Sequence, residues 1–501
     1  MVARIPLIVN PDAAQIQELP ATDTIDFPVA TLTADGTIAA NAPVTLTSAG
    51  KVKAISTVAE NLTGGSTGTF LTGSGSQAIY SIEDTCWLGG QNAVIAAWKI
   101  KSSTASLDQD LQLTAGTLSG TSVSWGTRLD TGSETGGTQW VNLASNNNDK
   151  AILMYHESAD SAMKIRTFTV SGTTITLGTE VTLRTSSSYG SLDYLGEDGG
   201  SSYFAAAFVH SGDACVKIIK HDGQNNMTVT AAGDAGFQIP SGFNHTNEMK
   251  VIGMSHDRFL VQAGANSQTN TIHVCTRLGT TCRIAPGYRA DELGESNEEP
   301  FRVTDHTYAA YLHDGTDETF VYDPINEKFI IWVSAGSGAR GRVRVYNIDG
   351  DTIKYQFESD FVTAADVNNG IATGHPTFYP SLEVTDKGQI IVTFSINSNK
   401  YGKRVVGSYN HKRDGITWGA ITSWSNEWTT TIQQVKADDG KIIVIYQDTN
   451  QAGNVYNISG KSKVFQTATT TLTEDNFLGF SSAAYSNNDA ARIKLLGNTT
   501  T

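Results

Sequence analysis

The chain has 501 residues, of which 39% are hydrophobic and only 17% are charged. It is therefore too apolar to be disordered, and its many Gly, Ser, Thr and Asn residues favour strands and turns over helices. The formal net charge of −15 argues against binding to nucleic acid or to an anionic membrane surface, because those surfaces carry the same sign of charge.

Membrane and disulfide signals are weak throughout the sequence. No apolar run reaches the roughly 20 residues of a membrane helix, and Met1–Asp12 does not resemble a secretory signal. The four cysteines are too few for a disulfide framework. Cys275 and Cys282 flank a hairpin and could face each other, but we interpret them as reduced, small apolar strand residues. The only helical expectation is a turn or two at Asp12–Leu19.

The N-terminal zone, residues 1–68, contains extended segments bounded by prolines. Asp35–Val52 is typical of two short strands around a turn at Ser48–Gly50. Such a piece is too short to bury a core of its own. We predict that residues 1–68 form an arm and the first half of a small β docking domain.

Residues 69–472 repeat one unit, a short apolar run that ends on an aromatic residue in six of its seven copies. The copies recur at intervals of roughly 50 to 70 residues, as blade-type repeats do. Because the runs are nearly continuous in apolar residues, each predicts a strand buried on both faces. The runs are Ala93–Trp98, Lys150–Tyr155, Tyr203–Phe208, Arg258–Ala263, Glu327–Trp332, Gln389–Phe394 and Lys441–Tyr446.

A glycine-centred hairpin is predicted after each run, since a tight hairpin needs the positive φ that glycine adopts. These glycines are Gly120, Gly172, Gly223, Gly279, Gly350, Gly415 and Gly460. Each unit then resolves into four antiparallel strands, and a ring of such sheets is a β-propeller. The predicted fold class is all-β, with a propeller of about seven blades. A string of sandwiches is disfavoured, because a unit of roughly 50 residues is too small to bury its own core.

The blade count has a range of six to eight, because the interval between Ala263 and Trp332 is the longest. We expect an insertion at Arg289–Asp314, whose charged start is typical of a solvated loop. The C-terminal zone, residues 473–501, again has short strands within Asn476–Leu496 and no core of its own. We predict that it pairs with the N-terminal strands and completes the docking domain around the inserted propeller.

Candidate chemical motifs all favour a structural interpretation. Asp414–Trp418 resembles the Asp-box of sialidase-type propellers, which stabilises a hairpin and is not catalytic. The arginines at 340, 342 and 344 alternate along one strand, so they share one face and do not converge from three blades. Asn347–Asp351 lacks the Glu of a calcium loop and predicts a hairpin turn. We therefore predict no catalytic, metal or cofactor-binding residues and a protein that is not an enzyme.

Aromatic residues at corresponding repeat positions are expected in the blade cores. They are Trp98, Tyr155, Phe208, Trp332, Phe394 and Tyr446. Three tryptophans outside that register are better candidates for stacking on glycan, namely Trp418, Trp424 and Trp428. Three histidines are expected at strand ends as polar rim residues, namely His156, His210 and His221.

Both ends of the chain resemble tailed-bacteriophage fibre and virion proteins. Pro6–Val9 followed by Gln15–Ile25 is similar to the opening of such proteins, although Asn10–Ala14 is inserted between strand and motif. Gly36–Val52 together with Phe477–Ile493 resembles a small β-module of phage fibres and capsid decoration proteins, in which the two halves usually lie close in sequence. The repeat unit is also similar to tail proteins of marine and cyanobacterial phages.

This resemblance implies a virion structural protein, a tail fibre or similar appendage, located in the virion after assembly in the host cytoplasm. Its expected partners are other virion proteins of the tail or capsid, further copies of itself in a homo-oligomer, and host cell-surface glycan bound by the propeller for attachment. Two alternatives stay open: a purely architectural propeller of tail or capsid, and a glycan-degrading, sialidase-like enzyme. A propeller by itself does not decide among them.

Overall fold

The structure is a computed structural model. It describes residues 7–10, 15–18, 29–38, 40, 43–46, 50–54, 63–73, 77–102, 110–132, 138–223, 227–230, 236–239, 249–255, 257–266, 269–285, 320–334, 341–362, 378–386, 388–395, 401–410, 414–449, 458–466 and 477–495. The predicted insertion at Arg289–Asp314 lies outside the described residues. The chain divides into two compact units, Met1–Thr57 with Thr469–Thr501, and Val58–Ala468.

Strands from the N-terminal side open the first unit. They are β1 Leu7–Asn10, β2 Gln15–Glu18, β3 Val29–Thr33, β4 Pro43–Leu46 and β5 Val52–Ala54. β1 and β2 pair antiparallel, with Leu7 opposite Glu18. The helical turn expected at Asp12–Leu19 is therefore wrong, because its central residues are extended and hydrogen-bonded to another strand.

The second unit begins with β6 and continues with three blades, which are antiparallel sheets of four strands in chain order, two of them with a short extra strand. β6 is Thr63–Leu71. Blade 1 consists of β7 Gln77–Leu88, β8 Ala93–Ser102, β9 Leu111–Ser119, β10 Ser122–Trp125 and the short β11 Leu129–Asp130. Blade 2 consists of β12 Thr138–Ser145, β13 Ala151–Glu157, β14 Ala162–Ser171 and β15 Thr174–Thr185. Blade 3 consists of β16 Ser187–Asp198, β17 Ser201–His210, β18 Asp213–His221, β19 Met227–Thr230 and the short β20 Phe237–Gln238.

Four further blades follow. Blade 4 consists of β21 Met249–Ser255, β22 Arg258–Asn266, β23 Thr269–Leu278 and β24 Thr281–Ile284. Blade 5 consists of β25 Phe320–Asp323, β26 Lys328–Ser334, β27 Gly341–Asp349 and β28 Thr352–Asp360. Blade 6 consists of β29 Phe378–Val384, β30 Ile390–Ser395, β31 Tyr401–Tyr409 and β32 Ile416–Trp418. Blade 7 consists of β33 Thr422–Ala437, β34 Lys441–Thr449, β35 Ile458–Gln466 and the early strand β6.

Each predicted apolar run forms the second strand of its blade and lies inside the sheet. β13 and β30 are buried along their whole length, because neighbouring blades cover both of their faces. Hydrophobic clusters lie between successive blades, including one between blade 7 and blade 1. The all-β propeller fold is therefore confirmed. The count of about seven blades stays a prediction for the whole chain, because residues 286–319 are not described.

Two details of the predicted organisation are wrong. Gly460 does not centre a hairpin: it lies inside β35 opposite Leu71 of β6. Blade 7 therefore takes its fourth strand from the N-terminal side of the propeller. For the same reason the predicted boundary after residue 68 is misplaced, since β6 begins at Thr63 within the second unit.

The first unit is completed by two strands near the C-terminus, β36 Phe477–Ser481 and β37 Ala490–Leu495. They form one sheet with the N-terminal strands in the order β3-β37-β36-β4-β5. Val29 lies opposite Lys494, and Thr45 opposite Phe477. A small core of six buried residues, including Ile38 and Ile493, packs within this unit. The described part of the chain has no helix with the length and apolarity of a membrane span.

Candidate functional site

The first strands of the seven described blades line a central cavity of about 490 Å³. This volume falls within the roughly 300–1,000 Å³ of small-molecule sites. The polar lining includes Asp84, Asp193 and Glu383, together with the two lysines Lys250 and Lys436. The cavity is therefore the first candidate for a functional site.

The three cavity carboxylates connect neighbouring blades. Asp84 of blade 1 accepts a hydrogen bond from the Leu143 amide of blade 2 at 2.7 Å. Asp193 of blade 3 accepts one from the Gly253 amide of blade 4 at 2.8 Å. Glu383 makes the corresponding bond from blade 6 to blade 7. Each carboxylate also accepts from the amide of the residue that follows it. Each of these three carboxylates thus connects the first strands of two neighbouring blades, and we call the three residues clamp residues.

Burial controls the acidity of these groups. Desolvation raises the pKa of Asp84 to about 6, and the nearby Lys250 acts in the opposite direction. Desolvation also raises the pKa of Asp193 and of Glu383, each against a neighbouring lysine. No group of three or more potential metal ligands is found among the described residues. We interpret the three acids as structural clamps.

The arginines expected to share one strand face do so on β27. Arg342 contacts Glu358 and Asp360 at 2.5 and 2.6 Å, and Arg344 contacts Glu358 at 2.5 Å. Arg340 lies outside the described residues. The two described arginines therefore form an ion-pair network across β27 and β28. Carboxylates of the same blade balance their positive charges.

The other motif interpretations also fall on turns. Gly350 connects β27 to β28 with a φ of +59°, so Asn347–Asp351 is a hairpin. The Asp414 carboxylate accepts a hydrogen bond from the Asn410 side chain at 2.8 Å beside the turn into β32. Neither segment faces the central cavity, whose lining comes from the first strands.

A Tyr–Glu contact occurs in blade 2, of the kind that a sialidase nucleophile would need. The Tyr155 hydroxyl donates to the Glu180 carboxylate, which also pairs with Lys164 at 3.3 Å. Burial raises the pKa of Tyr155, which disfavours the nucleophilic phenolate. The nearby Arg166 donates to the backbone carbonyl oxygens of Thr131 and Gly178. This contact is therefore part of a structural network.

The four cysteines are free and buried. Cys282 lies opposite Arg277 in the register, so Cys275 and Cys282 are offset by two residues and not directly paired. Burial raises the pKa of Cys275, and raises that of Cys282 to about 12. These thiols are thus inert strand residues, as the spacing predicts.

The repeat-position aromatics lie in the cores, and five of the six are fully buried while Trp332 is half-buried. Trp424 is only 5% exposed and donates through Nε1 to the Lys403 carbonyl oxygen at 2.8 Å. The buried Trp424 ring is therefore not open to stacking on glycan, and this candidate is set aside. Trp418 donates to Ser359 Oγ at 2.9 Å and packs on Phe361, and Trp428 is half-buried. His156, His210 and His221 lie at the ends of their strands, as expected.

Sequence reasoning missed a recurrent bulge in the first strands. In four first strands the pairing register skips an aromatic residue at the same point of the strand. These residues are Tyr80 in β7, Trp140 in β12, Tyr189 in β16 and Tyr379 in β29. Two of these four begin the motif Tyr-x-Ser-Leu-acid, which ends on the clamp residues Asp193 and Glu383. A search for repeats within the first strands would have found this signal.

Trp140 and Tyr189 form a half-buried aromatic pair at these bulges. Their ring centroids are 4.7 Å apart, and the Trp140 ring lies 4.8 Å from that of His156. Both residues have positive φ, +46° for Trp140 and +53° for Tyr189, which costs about 1–3 kcal/mol each in a residue other than glycine. Thr431 has a similar positive φ, +42°, at the corresponding bulge of β33, so the strain belongs to the bulge itself.

Comparisons with known proteins show no family. The chain matches no protein-family model and no curated protein sequence. Similar solved structures include AofleA from Arthrobotrys oligospora, with a TM-score of 0.36, 9% identity, and coverage of 84% of this chain and 94% of that one. The WD40 domain of SCAP from fission yeast has a TM-score of 0.40, 9% identity, and coverage of 87% and 98%. A NanB sialidase variant from Streptococcus pneumoniae has a TM-score of 0.40, 9% identity, and coverage of 79% and 70%.

Proposed function

We propose that this protein is a structural and adhesive component of a tailed-phage virion, a tail fibre or a similar appendage. The observation that carries the proposal is the small sheet built from both chain ends, in which β3 and β4 pair with β37 and β36. Of the segments that resemble phage fibre modules, Gly36–Val52 and Phe477–Ile493 contribute strands to this sheet. A domain built in this way keeps the propeller attached at both of its ends.

The two units have different roles in this proposal. The terminal unit docks to other virion proteins and forms a homo-oligomer, since assemblies with closed symmetry are the rule for such components. The propeller binds glycan on the host surface. The half-buried pair of Trp140 and Tyr189 supports a binding role, because aromatic rings that are partly open to solvent can stack on sugar rings.

Location on the particle is tested by labelling. An antibody against the full chain is applied to purified virions of the source phage and imaged by electron microscopy. We expect labels at one defined position, in a number set by the symmetry of the particle. Purified virions in which mass spectrometry detects none of this chain would overturn the proposal.

The same particles and the purified chain separate the two alternatives. A purely architectural propeller would be present in the virion and show no affinity on a glycan array. An enzyme would release new reducing ends from host envelope polysaccharide, measured against a boiled control. We expect array binding without new reducing ends, because the described acids act as strand clamps and the Tyr155 hydroxyl has a raised pKa.

A further inference from the structure

Lys250 of blade 4 supplies a hydrogen-bond donor to the central cavity. Its side chain lines the cavity and is partly open to solvent. Asp84 and Asp193 feel its charge, but the ammonium group makes no hydrogen bond or ion pair with any residue that the structure describes. The other lysine of the cavity, Lys436, differs because it pairs with Asp386 at 3.1 Å. The Lys250 ammonium is therefore available to a ligand.

The carboxylates of Asp84 and Asp193 supply acceptors to the same cavity. Both residues line it, and both are partly open to solvent. Each of their four oxygens accepts one hydrogen bond from a backbone amide. A carboxylate oxygen has a second lone pair, so each can accept a further bond without losing the amide. The cavity thus combines free acceptor capacity with an available donor.

The signs of these charges select the class of ligand. A cation in the cavity would be repelled by the Lys250 ammonium, and an anion would be repelled by the two carboxylates. A hydroxyl group both donates and accepts, so it can lie between a carboxylate and an ammonium group. Phe320 and Tyr322 are half-buried in the lining and offer ring faces to C–H groups. This lining fits a neutral molecule with several hydroxyls.

We infer that the central cavity binds a neutral pyranoside, the end unit of a glycan, between Lys250, Asp84 and Asp193. Sugar hydroxyls donate to the two carboxylates and accept from the ammonium group. The bonds between blades stay in place, because the sugar uses the remaining lone pairs. The volume of about 490 Å³ lies in the range of small-molecule sites. This inference rests on the proposed glycan-binding function and adds the cavity to its sites.

Two lysine variants form a matched pair for the test. Lys250→Met removes the ammonium group from the cavity and keeps an unbranched side chain of similar length. Lys354→Met is the control, because Lys354 pairs with Asp349 at 2.5 Å beside the β27–β28 hairpin and does not line the cavity. Both changes remove one positive charge, and only the first alters the proposed site.

The test is binding of methyl pyranosides to the full-length protein. Methyl glucoside, galactoside, mannoside and N-acetylglucosaminide are each titrated by calorimetry, with saturation-transfer NMR to detect weak contacts. We expect at least one to bind, Lys250→Met to weaken that binding by about tenfold or more, and Lys354→Met to leave it unchanged. The uronic acid and the amino sugar that correspond to the bound pyranoside should each bind about tenfold more weakly. Melting curves of every variant control for folding.

Three results would overturn the inference. They are a panel in which no pyranoside binds, a Lys250→Met protein that melts like the wild type and retains affinity, and charged sugars that bind as tightly as the neutral one. If Lys250→Met does not fold, a crystal structure of the wild type with the bound pyranoside decides, and a sugar outside the cavity contradicts the inference.

Failure of this site and failure of the proposed function give different results. Glycan-array binding that survives Lys250→Met would sink the cavity site and leave the proposed function standing. Virions that lack the chain would sink the proposed function while pyranoside binding in the cavity is unaffected.

Discussion

Single residues decide how closely neighbouring first strands of the propeller can approach. Gly253 of β21 faces the Tyr194 carbonyl oxygen of β16, and a Cβ at Gly253 would lie 1.9 Å from that oxygen. The Gly253 amide also donates to the clamp residue Asp193. Glycine is therefore needed here by the backbone of the next blade, not by its own φ.

Gly253→Ala should destabilise the propeller by about 3 kcal/mol, because the new methyl group forces two backbones apart and lengthens the bond to Asp193. The urea midpoint of unfolding measures the effect. Gly415→Ala is the matched control, since its Cβ would meet only the end of the Asn410 side chain at 3.1 Å. That change should cost within about 0.5 kcal/mol. Equal midpoints for the two variants would contradict the prediction.

The Asp84 carboxylate makes the stability of the propeller depend on pH. Burial raises its pKa to about 6 in the folded protein, above the value of 3.8 for an exposed Asp, with Lys250 and Asp193 as neighbouring charges. Between these pH values the folded chain retains a proton that the unfolded chain has lost. The free energy of unfolding therefore falls as the pH rises through this window, in total by about 3 kcal/mol.

Asp84→Asn removes this ionisation. The stability of the wild type relative to the variant should fall by about 2.4 kcal/mol between pH 4 and pH 7.5, because only the wild type must bury a charge at the higher pH. Urea unfolding of both proteins at the two pH values measures the difference. Glu383→Gln should change in the same direction, since burial raises the pKa of Glu383 as well. A difference that does not change with pH would refute the assignment.

At the scale of elements, β6 closes the propeller by completing blade 7. Its pairing with β35 runs from Leu71 opposite Gly460 to Thr63 opposite Gln466. The Trp125 indole of blade 1 donates to Ser462 Oγ of β35 at 2.9 Å, and Gly68 of β6 lies directly against that hydroxyl. One strand thus supports blade 7 and its contact with blade 1.

Replacing residues 63–71 with a Gly/Ser linker of nine residues should lower the thermal midpoint and expose blade 7 to protease, because β35 becomes an open edge. A synthetic peptide of residues 58–73, added in trans, should restore part of the lost stability. A peptide of scrambled order should not. If the linker variant melts like the wild type, β6 does not close the ring.

At the scale of the whole molecule, each compact unit depends on chain segments that are far apart in sequence. The core of the terminal unit combines Ile38 and Val44 from one end with Ala491 and Ile493 from the other. Neither end supplies a core alone. For this reason the sequence of each end predicts strands but no hydrophobic core.

Deletion of Thr469–Thr501 should leave β3, β4 and β5 without partners. We expect residues 29–54 to be cleaved rapidly by protease while the described strands of the second unit stay resistant, since that unit keeps all of them. Limited proteolysis with mass spectrometry of the fragments measures this. Continued protection of 29–54 in the truncated chain would show that the shared sheet does not hold the terminal unit together.

Much of the propeller could be predicted from local patterns. Runs such as Ala93–Trp98 and Gln389–Phe394 are nearly all apolar, so they had to be strands covered on both faces. Gly120 and Gly350 adopt the positive φ that their hairpins require. The Asn457–Gly460 segment has the same local pattern and yet continues β35, because the strand opposite it comes from residues 63–71.

The sequence by itself determined the strands, their burial and most of the hairpins, because these follow from the order of apolar residues and glycines within a few residues. Only the tertiary structure decided which strand closes blade 7, how the two ends share one sheet, and which aromatic rings meet. Trp140, Tyr189 and His156 come from three strands, and their contact depends on bulges in two blades. Contacts between distant segments reflect the balance of the whole chain, and local patterns do not encode that balance.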